Sequence, residues 1–536
     1  VRFRDCAAAV MGLPESECRL DSCLTGTSYR LFPALHREGV IVLSFAHSYC
    51  LPNLQQKYPT CPGLFYDTGA RDGIISRLRV PGGILNSKQG RVVVEWASCG
   101  RGYVHVTNRA NLQIRANQGI TDELLTILQQ SGLAAPLACV DHLRNIMASP
   151  TAGIDLGELI DTRPLVKELD EYICLDSELA GLSPKFSVGF NGGGSVSISE
   201  QPNEIGFLAV AVDGYRGTYF RLKLGEEQNI IVKPEECLPV VVALARVYLS
   251  VAGTSHRPRS NLLKADRQLR IKHILQEWGV QWYLNQAQRY LPFAWRYILD
   301  KTFPKTVFTP KNLHLGVHQQ RQPGLYYIGV VLPLGQLLTN QLRSLVGLAD
   351  TYGSGTLRLT PWQNLLISDI PAQDVPKVQL EIERLGLHWS ASHIQGTMVA
   401  CTGKNGCRSS ATDTKGHGLA LAEYLQKHIT LDVPVRIHLS GCPKSCAYHG
   451  KSDITLLGTI IEDIAEGYHI YVGDGEQPFG RELYTNVPWT ELGDRIRRML
   501  QVYHQERQPH ETFGAFSNRY MIQQLRQLFD ERGRAR

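Results

Sequence analysis

Four cysteines in the second half of the chain have spacings that can do chemistry. Cys401 and Cys407 are separated by five residues in ACTGKNGCRSS (400–410), and Cys442 and Cys446 by three in SGCPKSCAYHG (440–450). Four thiolates from two short loops are what a cubane iron–sulfur cluster needs. Gly403, Gly406 and Gly441 let each loop turn sharply and bring backbone N–H groups toward sulfur, while Pro443 stiffens the second loop. A structural zinc site is the first alternative, although zinc pairs usually have two to four intervening residues. Four unrelated buried thiols are the other.

The elements around these loops follow from periodicity. TKGHGLALAEYLQKH (414–428) reads as an amphipathic helix between the two pairs, with Leu419, Ala422 and Leu425 on one side, and VPVRIHLS (433–440) as a strand leading into the second pair. The other nine cysteines (Cys6, Cys18, Cys23, Cys50, Cys61, Cys99, Cys139, Cys174 and Cys237) show no second set of this kind. An odd total of 13 in 536 residues argues against a disulfide framework and points to a reducing cytoplasm.

The chain also repeats itself. CPGLFYDTGARDGIISRLRVPGG (61–83) resembles QPGLYYIGVVLPLGQ (322–336), and GYVHVTNRANLQI (102–114) resembles GTLRLTPWQNLLI (355–367). LACVDHLRNIMASPTAG (137–153) and VACTGKNGCRSSATDTKG (399–416) follow in the same order. This predicts a duplicated α/β fold with pseudo-twofold symmetry: two smaller strand–helix modules at 56–130 and 318–390, which resemble ferredoxin-like half-domains, and two larger α/β modules at 137–300 and 395–536. The second large module carries the cysteines and C-terminal helices. Residues 1–55 read as an N-terminal extension of uncertain status. The linker stretch ADRQLRIKHILQEWGVQWYLNQAQRYL (265–291) reads as a helix with Leu269, His273, Leu275 and Trp278 at helical spacing, capped by Gly279. The halves have diverged: Arg109 corresponds to Trp362, and the first half has only Cys139 where the second has its pair. One half is therefore expected to supply positive charge and the other metal ligands, at a site between them.

Composition narrows the class. Hydrophobic residues make up 43%, charged residues 20%, and the net charge is +6. That is ordinary globular protein, too weakly basic to imply nucleic acid but suited to an acidic small molecule if the cations converge. The most apolar run, CLPVVVALARVYLSVAG (237–253), is short and contains Arg246, so it reads as a buried helix and not a membrane span.

The C-x5-C and G-C-P-x-x-C spacing, together with HETFGAFSNRY (510–520), resembles the sirohaem/[4Fe-4S] nitrite and sulfite reductase superfamily, from about Cys61 to the C-terminus. The resemblance implies a cluster on Cys401, Cys407, Cys442 and Cys446, with Cys446 linking it to a tetrapyrrole iron. It implies catalytic roles for Arg109 in a T-x-R-x-x-x-Q strand, for Arg144 in DHLRN and for Lys185 in SPKFS. Gln113 and Asn145 fall in the same motifs. Position 187 is Ser where the reductases have a second lysine. That departure, with CPGLFYDTGARDGIISRLRVPGG, PKFSVGFNGGG and SDITLLG, resembles precorrin-3B synthase, the cobalamin-pathway branch. This branch implies an O2-dependent mono-oxygenase that hydroxylates precorrin-3A with lactone formation, its cluster supplying electrons and non-haem iron a possible addition.

A uroporphyrinoid carries many carboxylates, so several Arg and Lys forks must converge on it. Arg71, Arg77 and Arg79 would share one face if their stretch is a strand. Lys444 would pair with a ligand carboxylate or offset the cluster's charge, and His449 reads as structural. GFNGGGS (189–195) permits close approach to a flat ligand, or is a hairpin turn. Two alternatives stand: a ferredoxin-fed sirohaem nitrite or sulfite reductase, and a non-catalytic electron-transfer or tetrapyrrole-binding protein. No dinucleotide fingerprint is evident, so electrons are expected from ferredoxin, or from NAD(P)H by a route the sequence hides.

Overall fold

The computed structural model describes residues 62–253, 269–299, 303, 313–462, 465–475 and 479–532. The extension expected at 1–55 lies outside the described residues.

Each ferredoxin-like half-domain is a five-stranded antiparallel sheet backed by helices, and each borrows its last strand from the other. The first runs Thr68–Ala70, Gly73–Leu78, Leu112–Ala116, Tyr103–Val106, then Gln336–Leu338 from the second half. The second runs Gly316–Gln319, Leu325–Val330, Leu365–Pro371, Thr356–Leu359, then Ile84–Asn86 from the first. The exchange joins the two sheets through one shared core, in which Leu78, Val104 and Ile114 pack with Leu342, Leu357 and Ile367.

The pseudo-symmetry extends to single hydrogen bonds. Gln89 closes a capping box on Asn86 and donates from Nε2 to Ser131 O at 3.0 Å. Gln341 caps the matching helix Thr339–Tyr352 and donates to Leu385 O at 3.0 Å. The hairpin turns after Val106 and Leu359 both place a non-glycine residue at positive φ, Ala110 at 52° and Gln363 at 63°. Each is fixed by an N–H bond to Thr107 O or Thr360 O.

The larger modules have sheets of their own. The first is ordered Arg296–Tyr297, Glu226–Val232, Thr218–Leu224, Ile205–Ala211, Val188–Asn191, Ile146–Ala148; the second is Met398–Ala400, Ile437–Ser440, Ile454–Ile461, Ala465–Val472, Arg481–Pro488. In chain order the first three strands of each sheet pair in parallel, and their C-terminal ends project loops to one side. In the second module those loops carry the cysteines. The apolar run forms helix Cys237–Ala252 in the core of the first module. No described helix is long and apolar enough to cross a membrane.

Gly279 ends the first linker helix as expected: at φ 77° and ψ 160° it leaves the helical conformation, and a second helix runs on from it to Gln288, a break glycine makes without Cβ strain. One local expectation differs from the structure. The stretch containing Arg71, Arg77 and Arg79 is a hairpin, not one strand. Arg71 lies in the turn, Arg77 in Gly73–Leu78, and Arg79 beyond its end, so alternation does not align them.

Candidate active site

The cysteine loops are built around helix Thr414–His428, which starts between them. Asp413 caps it by accepting from Gly416 N at 3.1 Å. Gly441 N donates to Cys401 Sγ at 3.2 Å, and Thr414 Oγ1 lies 3.4 Å from the same sulfur while donating to Cys401 O at 2.8 Å. The loops interlock through Ala411 N to Gly441 O at 2.8 Å. A Cβ on Gly441 would collide with Ser410 Oγ, and Gly403 sits at φ 79°. Ser445, at φ 52°, is held in the second loop by donating to Tyr448 O at 2.5 Å.

The four sulfurs face a common space. Desolvation, and then the charges of Cys442, Cys401 and Cys407, push the Cys446 thiol up, while Lys185 pulls it down. Yet no three His, Cys, Asp or Glu side chains among the described residues are gathered closely enough to hold one metal ion. Four thiols in mutual electrostatic range are the donor set a cubane cluster takes.

The first half closes over this space with cations. Asn108 Nδ2 donates to Cys446 O at 3.3 Å, and Gln363 Nε2 to Ala447 O at 3.4 Å. Arg109 follows Asn108 in the hairpin turn, not in a strand as its motif implied. Its Nη1 donates to Ser187 Oγ at 3.0 Å and Asn203 Oδ1 at 2.9 Å. Burial, with Arg270 and Arg77 nearby, lowers its pKa to about 10, and Glu204 opposes them. His449, on the loop after Cys446, is pulled down by desolvation and then by Arg109, Lys185, Arg270 and Lys272.

The remaining predicted residues divide. Arg77 Nη2 donates to Gln113 Oε1 at 3.2 Å on the sheet face opposite the shared core. Arg71 Nη1 donates to Lys404 O at 3.0 Å, tying the hairpin to the first cysteine loop. Lys444 Nζ donates to Ser409 Oγ at 3.0 Å, joining the two loops, and Lys185 is exposed. Arg79 turns inward to Pro62 O and Arg77 O. Arg144 forms a two-pronged pair with Asp170, at 2.8 and 2.9 Å, and its Nη2 also donates to Gly132 O. Arg79 and Arg144 line a separate cleft of about 360 Å³ beside helix Arg163–Leu175. Asn145 Oδ1 accepts from Asn111 Nδ2 at 2.9 Å and so buttresses the Arg109 turn.

The glycine loop after Asn191 is pinned from inside. Asp155 Oδ2 accepts from Ser195 N at 2.8 Å and Thr151 Oγ1 at 3.1 Å, and a Cβ at Gly194 would meet the Asp155 carboxylate at 2.6 Å. Several site residues carried no motif: Asn108, Asn203, Arg270, Lys272, and a group behind Cys401 formed by Arg115, His105 and Lys415. The basic start of the linker helix, QLRIKH (268–273), was the available signal for Arg270 and Lys272.

The half-domains at 67–129 and 318–385 match the model of the nitrite/sulfite reductase ferredoxin-like half domain, and 139–294 and 395–535 match the nitrite and sulphite reductase 4Fe-4S domain. This chain belongs to the nitrite/sulfite reductase family. A [4Fe-4S] cluster is therefore its cofactor, and sirohaem accompanies it in the family's reductases. The chain is 31% identical to a ferredoxin–nitrite reductase of Synechococcus elongatus, over 82% of this chain and 88% of that one. It is 27% identical to a sulfite reductase [ferredoxin] of Mycolicibacterium paratuberculosis, over 83% and 81%. Mycobacterium tuberculosis NirA superposes with a TM-score of 0.73 at 25% identity, covering 84% of this chain and 85% of that one.

These relatives overturn the precorrin-3B synthase reading, and with it the mono-oxygenase activity, the precorrin-3A substrate and the place in cobalamin biosynthesis. The physical reason lies at Ser187. With serine where the reductases have a second lysine, the sequence alone shows one cation fewer at this position. In the fold Ser187 is fully buried and accepts from Arg109, while Arg270 and Lys272 bring positive charge from the linker helix.

Proposed function

We propose that this protein is a ferredoxin-dependent reductase that converts nitrite to ammonium. The observation that carries this reading is the positive field around His449, produced by Arg109, Lys185, Arg270 and Lys272 beside the Cys446 loop. Glu204 is the nearby acid, and it is engaged by Arg270 at 2.8 Å. A cluster of cations so placed fits both a polycarboxylate macrocycle and a small anion.

Cys401, Cys407, Cys442 and Cys446 would hold the [4Fe-4S] cluster. Arg77, Arg109, Arg270, Lys185, Lys272, Lys444 and Gln113 would meet the carboxylates of sirohaem or the bound anion. Sirohaem, when bound, supplies the iron that takes the anion and passes it electrons. Arg109 is held in one orientation by Ser187 and Asn203, so its charge is available without reorganisation. Lys185 is exposed, so its ammonium could donate a proton toward the anion and be reprotonated from solvent. Arg71 and Arg79 act as braces on backbone carbonyls, Asn145 supports the Arg109 turn through Asn111, and Arg144 is held by Asp170 away from that turn.

Nitrite is favoured over sulfite because the relatives at 30–31% identity are named ferredoxin–nitrite reductases.

Two measurements test the reading. Protein purified without air should show the absorption of bound sirohaem. With reduced ferredoxin it should form ammonium from nitrite faster than sulfide from sulfite. Absence of sirohaem, or a preference for sulfite, would defeat the proposal.

A further inference from the structure

Behind the Cys401 corner lies a cation that the anion site does not use. Lys415 is the second residue of helix Thr414–His428, next to the threonine that contacts Cys401. Its ammonium turns inward and donates to the carbonyl of Leu334, in the turn Pro333–Gly335. Its charged neighbours are Cys401, which favours the ammonium, and Arg115, which opposes it. Burial lowers its pKa to about 8. Arg115, whose side chain is 2% exposed, pairs with Asp72 and donates to Thr402 Oγ1 at 3.2 Å, one residue from Cys401. His105 lies against both cations.

The other half shows the same position without this arrangement. Gly418 packs against Leu334 as Val166 packs against Gly82, and counting back along each helix pairs Lys415 with Arg163. Arg163 is solvent-facing and neutralised by Asp161, at 2.7 Å. The half with cysteines therefore has a half-buried, inward-turned lysine where the half without them has a satisfied surface ion pair. A role in packing alone would not require a charge there.

We propose that Lys415 is a positioning charge that raises the reduction potential of the [4Fe-4S] cluster. The cluster gains one negative charge on accepting an electron, so a fixed cation at the Cys401 corner favours the reduced form. This rests on the reading that the four cysteines hold the cluster.

The test is an EPR-monitored redox titration of the cofactor-loaded full chain, with iron and sulfide content measured on the same samples. Lys415→Met should make reduction at least tenfold less favourable, a shift of about 59 mV to more negative potential for one electron. Lys415→Arg should stay within threefold of the wild type. A Lys415→Met protein with full iron and an unshifted potential overturns the proposal, as does an equal shift in both variants. If Lys415→Met loses the cluster, Lys415→Gln, which keeps a donor for the Leu334 carbonyl without the charge, takes its place, with a shift in the same direction expected and an unmoved potential again overturning it. A wild-type protein that binds no four-iron cluster would instead defeat the ligand assignment on which the proposal rests.

Discussion

Replacing Arg109 by Gln removes a charge while keeping a hydrogen-bonding side chain of similar reach. Burial and two neighbouring cations bring the Arg109 pKa from 12.5 to about 10. At about 1.4 kcal/mol per unit, and reduced for partial exposure, the folded state holds this charge at a cost of about 2 kcal/mol near neutral pH. The two hydrogen bonds to Ser187 and Asn203 offset part of that, and glutamine can remake one of them. The variant should therefore melt within about 1 kcal/mol of the wild type, or slightly later. Its handling of nitrite should suffer far more. Losing one charge-assisted contact worth about 1.5–3 kcal/mol should raise KM for nitrite, or lower kcat/KM, by about one to two orders of magnitude. Thermal melts and steady-state ammonium formation with reduced ferredoxin measure the two effects on one preparation. An Arg109→Gln protein that melts much earlier yet reduces nitrite normally would refute the reasoning, because Arg109 would then be structural.

Cys442→Ser should lose or convert the cluster, so its iron and sulfide content should fall well below that of the wild type; unchanged four-iron content would remove Cys442 from the ligand set. Glu158 has its carboxyl raised from 4.5 to about 7, chiefly by burial. The native protein thus binds a proton there that the unfolded chain releases, and this contribution to stability is lost as pH rises from about 4.5 to about 7. Glu158→Gln should flatten that part of the stability–pH curve and gain about 1–2 kcal/mol at pH 8, read from denaturant melts; an unchanged curve would contradict the assignment. Asp155→Ala should cost about 2–4 kcal/mol by releasing the glycine loop after Asn191 from Thr151, Ser195 and Val196, with the loss seen as a lower Tm.

The cysteine spacings and the internal repeat were legible in the sequence because both are local. Ligand spacing is set by the turn that carries it, and a duplicated segment keeps its order of strands, helices and turns. The half-domains, the helix at 414–428 and the buried helix at 237–252 follow from periodicity alone. Which cations cluster is not local. Arg109 and Ser187 are 78 positions apart, and Arg71 reaches Lys404 across 333. Arg79, two residues from Arg77, turns the other way because the strand ends between them. Ser187 read alone looked like a missing charge. Only the folded chain brings Arg270 and Lys272 to the same loop as Arg109, and electrostatic potential depends on distance through space, whatever the separation along the chain. Sequence by itself thus determined the duplicated fold and the candidate thiols. The tertiary structure decided which side chains complete the positive cluster, and that Lys415 stands behind Cys401, because burial and charge–charge approach exist only once the two halves close on each other.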